Sequence, residues 1–339
     1  MEQRTIKFDA NQHKYTDEFG NTYVSVTQLI GQFTPQFDER YWLMYKALEK
    51  KYKVKPDVKN NIILVDGTPF KLDELYDESS HKTSGIQQVC SSIKNEWIHK
   101  TQVAIDKGNE THEYMETCIK QFSKAADVDI SKFSKTLDSS FKLKITSMEE
   151  LENSPLRYSH ESIYRKLAYF VSQGFVIYAE KRVYSPLHLI AGTIDVFVIR
   201  GKEFYILDWK TNKKPLKFEA GYFKKKWVGN EKIETDEWIH TNEKLLPPLS
   251  SIANCKGGVY TIQLGTYAYI CELWGLTCLG LELYQIIEGQ EPKRFEIPYR
   301  KLDIQYMFEY RYKEVKNGYT AHVLSSSSIN IKKSAFGIQ

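Results

Sequence analysis

The chain is poor in cysteine. Its 339 residues hold five (Cys90, Cys118, Cys255, Cys271 and Cys278), an odd number with no C-x-x-C spacing. That pattern argues against a disulfide framework or a structural zinc site and fits a reducing, cytoplasmic setting. Long apolar runs are also missing. The most apolar stretch, Gly258–Leu276, is interrupted by Gln263 and Glu272, so it reads as a buried helix, and no membrane association is expected. Met1–Ala10 is charged and lacks the apolar segment of a signal peptide. No G-x-x-x-x-G-K-[S/T] loop occurs, which excludes an ATP motor of that type. Charge of one sign is scarce overall: the net +4 is too small to name a partner.

What is present is the composition of a globular domain, with 42% hydrophobic and 27% charged residues. The charge is unevenly placed. From Trp209 to Lys232 there are eight lysines, Lys213, Lys214, Lys224, Lys225 and Lys226 among them, against Glu219 and Glu231. Such a patch attracts polyanions, or is simply a solvated lysine-rich loop. Phe218, Tyr222, Phe223 and Trp227 are interleaved with these lysines, as suits a loop that guides a nucleic-acid strand or a packed insertion.

Along the chain, residues 5–24 alternate around turn residues and predict an N-terminal β-hairpin, taken as residues 1–24. Helical sequence follows through Tyr41–Leu48, then a lysine-rich excursion at 49–83 with a small strand pair at Ile62–Leu72. Helices are predicted over 86–122 and Ile163–Gln173, the second stopped by Gly174. Three strands follow at Phe175–Tyr184, Leu189–Arg200 and Glu203–Trp209. A helix at Val259–Trp274, strands at Cys278–Ile287 and Arg294–Ile297, and a helix at Lys301–Val315 complete the pattern. The order implies one mixed-sheet α/β domain over residues 25–320, with insertions at about 49–85 and 212–256. The serine-rich tail, 321–339, is predicted to be loosely attached.

The chemical signal lies between Ala191 and Thr211, AGTIDVFVIRGKEFYILDWKT. Val196–Arg200 and Phe204–Leu207 flank the turn at Gly201-Lys202, so Asp195 and Asp208 sit on paired strands and can converge on one hard cation. Lys210 shares the face of Asp208, because strand side chains alternate with period 2.

This stretch resembles the PD-(D/E)xK nuclease superfamily in its RecB-like exonuclease branch. GTID (192–195) is similar to its first acidic motif and DWKT (208–211) to its D-x-K motif. Gly108–His112 resembles the G-x-x-x-H helix, Gln263–Tyr267 the Q-x-x-x-Y helix, and Glu180 an acid of the preceding strand; Trp97 stands where such sequences often carry an aromatic. The same region is similar to phage-encoded exonucleases and to the mitochondrial genome maintenance exonuclease. The resemblance implies a restriction-endonuclease-like core, a mixed β-sheet flanked by helices. It implies Mg²⁺ or Mn²⁺ held by His112, Asp195, Asp208 and the carbonyl of Trp209, with Lys210 orienting the attacking water and Glu180 assisting. It places Gln263 and Tyr267 at the rim against nucleic acid, although Tyr267 also fits a core position. No iron–sulfur cluster is expected, since no cysteine follows Cys278. The implied activity is DNA cleavage, most simply by an exonuclease on single strands or duplex ends in repair, recombination or genome processing. It would act alone or beside a separate helicase or single-strand-binding protein. A structure-specific endonuclease and a non-catalytic nucleic-acid binder are the alternatives.

Overall fold

The computed structural model describes residues 5–9, 12, 14–52, 57, 60, 62–65, 68–71, 84–120, 144–145, 147–152, 154–212, 214–228 and 231–335. In chain order the first elements are β1 (Lys7–Asp9), β2 (Lys14–Thr16), β3 (Thr22–Ser25), α1 (Val26–Gly31), α2 (Glu39–Tyr52), β4 (Ile62–Val65), β5 (Thr68–Lys71) and α3 (Ser84–Lys120). There follow β6 (Lys144–Ile145), α4 (Met148–Glu152), α5 (Leu156–Ser159), α6 (Glu161–Ser172), β7 (Val176–Ser185), β8 (Ile190–Arg200) and β9 (Glu203–Lys210). The last are β10 (Gly221–Val228), β11 (Glu231–His240), α7 (Lys256–Leu273), β12 (Thr277–Gln285), β13 (Lys293–Glu296) and α8 (Lys301–Ala335).

The chain divides into two compact units. The smaller, Pro35–Glu110, contains α2, the β4–β5 pair and the first part of α3. Leu43, Leu48, Ile63, Ile86 and Ile93 are among the residues that give it a core of its own. The excursion expected at 49–85 thus belongs to a broader unit, because α2 and α3 supply the apolar faces that its short strand pair lacks. Trp97 lies here, edge-on to Phe37.

The larger unit, Met1–Thr34 with Thr111–Gln339, is built on a nine-stranded mixed sheet flanked by helices. One face packs against α1, α7 and α8 through a core that includes Leu29, Ile206, Leu264, Leu283 and Ile304. The other packs against α6 and the last turns of α3 through Met115, Ile119, Leu167, Phe170, Val198 and Trp209. The strand spans predicted for β7, β8 and β9 are those observed, within a residue or two.

β8 is the axis of this sheet. β7 pairs with it antiparallel along nearly its whole length. On the opposite edge β9 takes only the C-terminal half, from Val196↔Leu207 to Arg200↔Glu203, while β3 pairs parallel at Ile190 and Ala191. Between those partners the edge of β8 is a fork. The N-terminal segment is therefore more than a separate hairpin: β1, β2 and β3 extend the main sheet, and Ser25 at the end of β3 caps α1 through a reciprocal capping box with Gln28.

Two further differences concern the C-terminal half. The 212–256 interval contains the antiparallel ribbon β10–β11, which among the described residues forms a two-stranded sheet of its own. The last helix runs to Ala335 instead of ending near Val315, with the four serines inside it; serine has middling helix propensity and does not by itself stop a helix. Residues 336–339 of the tail lie outside the described residues. α7 is apolar on nearly every side yet spans only Lys256–Leu273, and no helix among the described residues is long and apolar enough to cross a membrane.

Candidate metal-binding site

Three carboxylates line up across β7, β8 and β9. The β7–β8 register is the same on either side of Glu180, which puts Glu180 opposite Asp195, yet the ladder passes from Ala179↔Val196 to Lys181↔Ile194 without bridging that pair. The β8–β9 register, continued one residue past Val196↔Leu207, sets Asp195 opposite Asp208. His112, on α3, brings its Nδ1 to 3.5 Å from Asp195 Oδ2. His112, Glu180 and Asp195 each offer a ligand atom within 4.8 Å of the others, and all three are half-buried. This group could hold a metal ion.

Glu180 has φ 51, left-handed backbone in the middle of a strand. For a residue with a Cβ that conformation costs about 1–2 kcal/mol. Its effect is visible in the packing. Before Glu180, Tyr178 of β7 faces the α7-side core; after it, Val183 does. On β8 the same core takes Ile190 and Ile194, then Phe197 and Ile199. Both strands change the parity of their inward side chains at this pair, leaving Glu180 and Asp195 where normal alternation breaks.

Asp208 is 1% exposed and lies beside the trio rather than inside it. Lys210 Nζ contacts its Oδ2 at 2.5 Å, and no hydrogen bond among the described residues reaches Oδ1. Burial raises the Asp208 carboxyl to about 6 and Asp195 adds to the rise; Lys210 and His112 oppose it without cancelling it. Burial disfavours the Lys210 ammonium, but Asp208 and Asp195 outweigh it and hold its pKa above the ordinary lysine value. Of the expected ligands, His112 and Asp195 fall in the compact group together with Glu180, and Asp208 stands next to it. Trp209 presents its backbone N–H, which donates to Asp195 Oδ2 at 2.9 Å. That bond takes the place of a ladder partner, since β9 has already parted from β8 at the fork.

α7 closes the site from one face. Gln263 Nε2 donates to the Tyr267 hydroxyl at 3.1 Å, and both side chains are buried. Burial drives the Tyr267 hydroxyl well above its usual pKa, with Asp208 and Asp195 near enough to add to the effect. Both residues are buried, and it is Tyr267 that lies near enough to Asp208 and Asp195 to feel their charge. Gly192 permits this approach: a Cβ there would lie 2.6 Å from Tyr267 Cε1.

Four residues that sequence reasoning missed complete the surroundings. Tyr15 hydrogen-bonds Thr193 in the fork at 3.1 Å. Tyr260 places its ring 4.9 Å from Lys210 Nζ, and Asn212 lies against the Tyr260 hydroxyl. The signal for Tyr260 was the polar spacing of α7, in which it precedes Gln263 by one turn.

The lysine patch is less positive than its sequence implied. Lys214 pairs with Glu234, and Lys224 pairs with Glu237 at 2.9 Å. Both acids come from β11, just beyond the lysine run, so the antiparallel return of the chain screens it. Lys225 and Lys226 are exposed; Lys213 lies outside the described residues.

No protein-family model matches this chain, and no curated protein matches it. The donor set itself fits a divalent cation: an imidazole, two carboxylates, and a third buried carboxylate whose Oδ1 has no partner among the described residues.

Proposed function

We propose that this chain is a divalent-metal-dependent deoxyribonuclease with a restriction-endonuclease-like core, acting most simply as an exonuclease on DNA ends. The observation that carries this reading is the cross-strand row of Glu180, Asp195 and Asp208, with His112 and Lys210 brought to it from either side. Histidine beside carboxylates suits Mn²⁺ as well as Mg²⁺. Held by His112, Glu180 and Asp195, with Asp208 adjacent, such an ion would supply a Lewis acid for a phosphodiester oxygen and an acidified water.

The protein's own groups divide the remaining work. The Trp209 amide fixes the orientation of Asp195. Asp208 pairs with Lys210 through Oδ2 and keeps an Oδ1 with no hydrogen-bond partner among the described residues. Lys210 remains an ammonium at neutral pH and can stabilise charge developing on the phosphate. Lys225 and Lys226, exposed on β10, offer cations to the backbone of a bound strand. With no Walker loop in its sequence, the chain would act alone or beside a separate helicase.

The test uses end-labelled linear single-stranded and duplex DNA beside a covalently closed circle, each with Mn²⁺, Mg²⁺ or chelator. Release of nucleotides from linear DNA that needs the metal supports the exonuclease. Nicking of the circle moves the assignment to an endonuclease. Intact DNA under every metal condition removes the nuclease reading.

A further inference from the structure

Lys256, Tyr260, Gln263 and Tyr267 recur at intervals of four, three and four along α7, which puts them on one face of the helix. That polar stripe starts two turns before the Gln263–Tyr267 pair and leads toward Lys210. We propose that Tyr260 is a positioning residue, whose ring holds the Lys210 ammonium at the carboxylate row. This rests on the reading of Lys210 as the group that meets the reacting phosphate.

A lysine stem is flexible, and a single ion pair with Asp208 does not fix where its ammonium points. The Tyr260 ring, 4.9 Å from Nζ, is within reach of a cation–π contact. An aromatic face attracts the cation without accepting its protons strongly, so the ammonium hydrogens stay available to Asp208 and to a phosphate. A second carboxylate in this place would have consumed them.

The ring is itself held. Its hydroxyl lies 3.4 Å from Asn212 Oδ1, and Lys256 Nζ donates to the same oxygen at 3.2 Å. The Asn212 carbonyl accepts from Gln285 Nε2 at 3.0 Å. Gln285 is 1% exposed, and its Oε1 accepts the Leu216 amide at 3.0 Å. Thus a buried glutamine on β12 pins the loop after β9, the loop pins the tyrosine, and the tyrosine faces the lysine.

The experiment compares Tyr260→Leu and Tyr260→Phe by two readouts. The first is the ¹H–¹⁵N signal of the Lys210 ammonium, assigned by its loss in Lys210→Met. Ring proximity should shift it in the wild type and in Tyr260→Phe, and Tyr260→Leu should return it toward the other lysines. The second is DNA cleavage with Mn²⁺: Tyr260→Leu should lower kcat roughly tenfold or more with KM little changed, because misplacing a reacting group is costly, and Tyr260→Phe should recover most of it. If Tyr260→Leu fails to fold, Tyr260→Met, which removes the ring but keeps a long apolar side chain, is read the same way. An ammonium signal that ignores loss of the ring, or a Phe variant as impaired as the Leu variant, overturns the proposal. A wild type that cleaves no DNA removes the nuclease reading, while the ammonium signal still decides where the ring holds Lys210.

Discussion

Glu180 and Asp195 oppose one another across β7 and β8 at the one position within that pairing where the ladder is skipped, and both strands turn over there. In a regular sheet two directly opposite residues share one face, so unbroken alternation would have turned both carboxylates toward a single core. Breaking the alternation frees both to meet His112. The distortion is local, since the register on either side is unchanged.

The backbone at Glu180 should be a measurable source of strain. Glu180→Gly, relieved of the left-handed penalty, should unfold in urea with about 1 kcal/mol more stability than Glu180→Ala. Both should lose Mn²⁺ affinity to a similar degree by calorimetry. Equal stability of the two variants would mean that φ 51 stores no strain.

His112 makes a prediction about the ion alone. His112→Ala should weaken Mn²⁺ binding roughly tenfold or more, with thermal stability in chelator little altered because the residue is only half-buried. Unchanged Mn²⁺ affinity would take His112 out of the ligand group.

Asp208 should trade stability against activity. Its folded-state pKa, about 6, is above the ordinary carboxylate value, so the native state prefers the protonated form. The destabilising contribution is absent below the ordinary carboxylate pKa, grows as pH rises toward 6, and is fully present above that. Asp208→Asn should therefore raise the Tm in chelator at pH 8, lose that advantage near pH 4, and abolish cleavage at every pH. A lower Tm at pH 8 would show that the Lys210 ion pair outweighs the burial cost.

The β10–β11 ribbon should be separable from the fold. Replacing residues 222–239 with a short Gly-Ser linker should leave the Tm within a few degrees, since no described strand of the main sheet pairs with the ribbon. Lys225→Ala/Lys226→Ala should flatten the salt dependence of DNA binding by up to about two units of slope. Lys224→Ala, already paired with Glu237, should do less. A salt slope unaffected by either change would place the bound DNA elsewhere.

Much of the sheet could be read from the chain because β8 and β9 carry apolar alternation on each side of a clear Gly201-Lys202 turn. Asp208 and Lys210 followed from period 2 on β9. The same rule could not place Glu180 or Asp195, because their strands reverse parity at those residues and nothing in the local letters marks the reversal. The ribbon was hidden for another reason: its strands mix lysine and glutamate with aromatics and lack one apolar face. The Gly229-Asn230 dipeptide between them was the available signal. Tyr260 was missed because it meets Lys210 across a sequence gap that only α7 closes, and Asn212 because its partners Tyr260 and Gln285 lie far along the chain on α7 and β12.

The fork in β8 makes the site a product of the finished chain. β3, from the start of the sequence, must dock parallel to β8, and α7 must cross over Gly192 before Tyr267 can settle beneath the carboxylates. Such distant pairings form late and slowly. A polypeptide still emerging, or one truncated before Lys256, would carry every acid of the row but no helix to set Lys210. Assembly of the acidic row with its lysine is thereby tied to completion of folding, and an unfinished molecule lacks the arrangement.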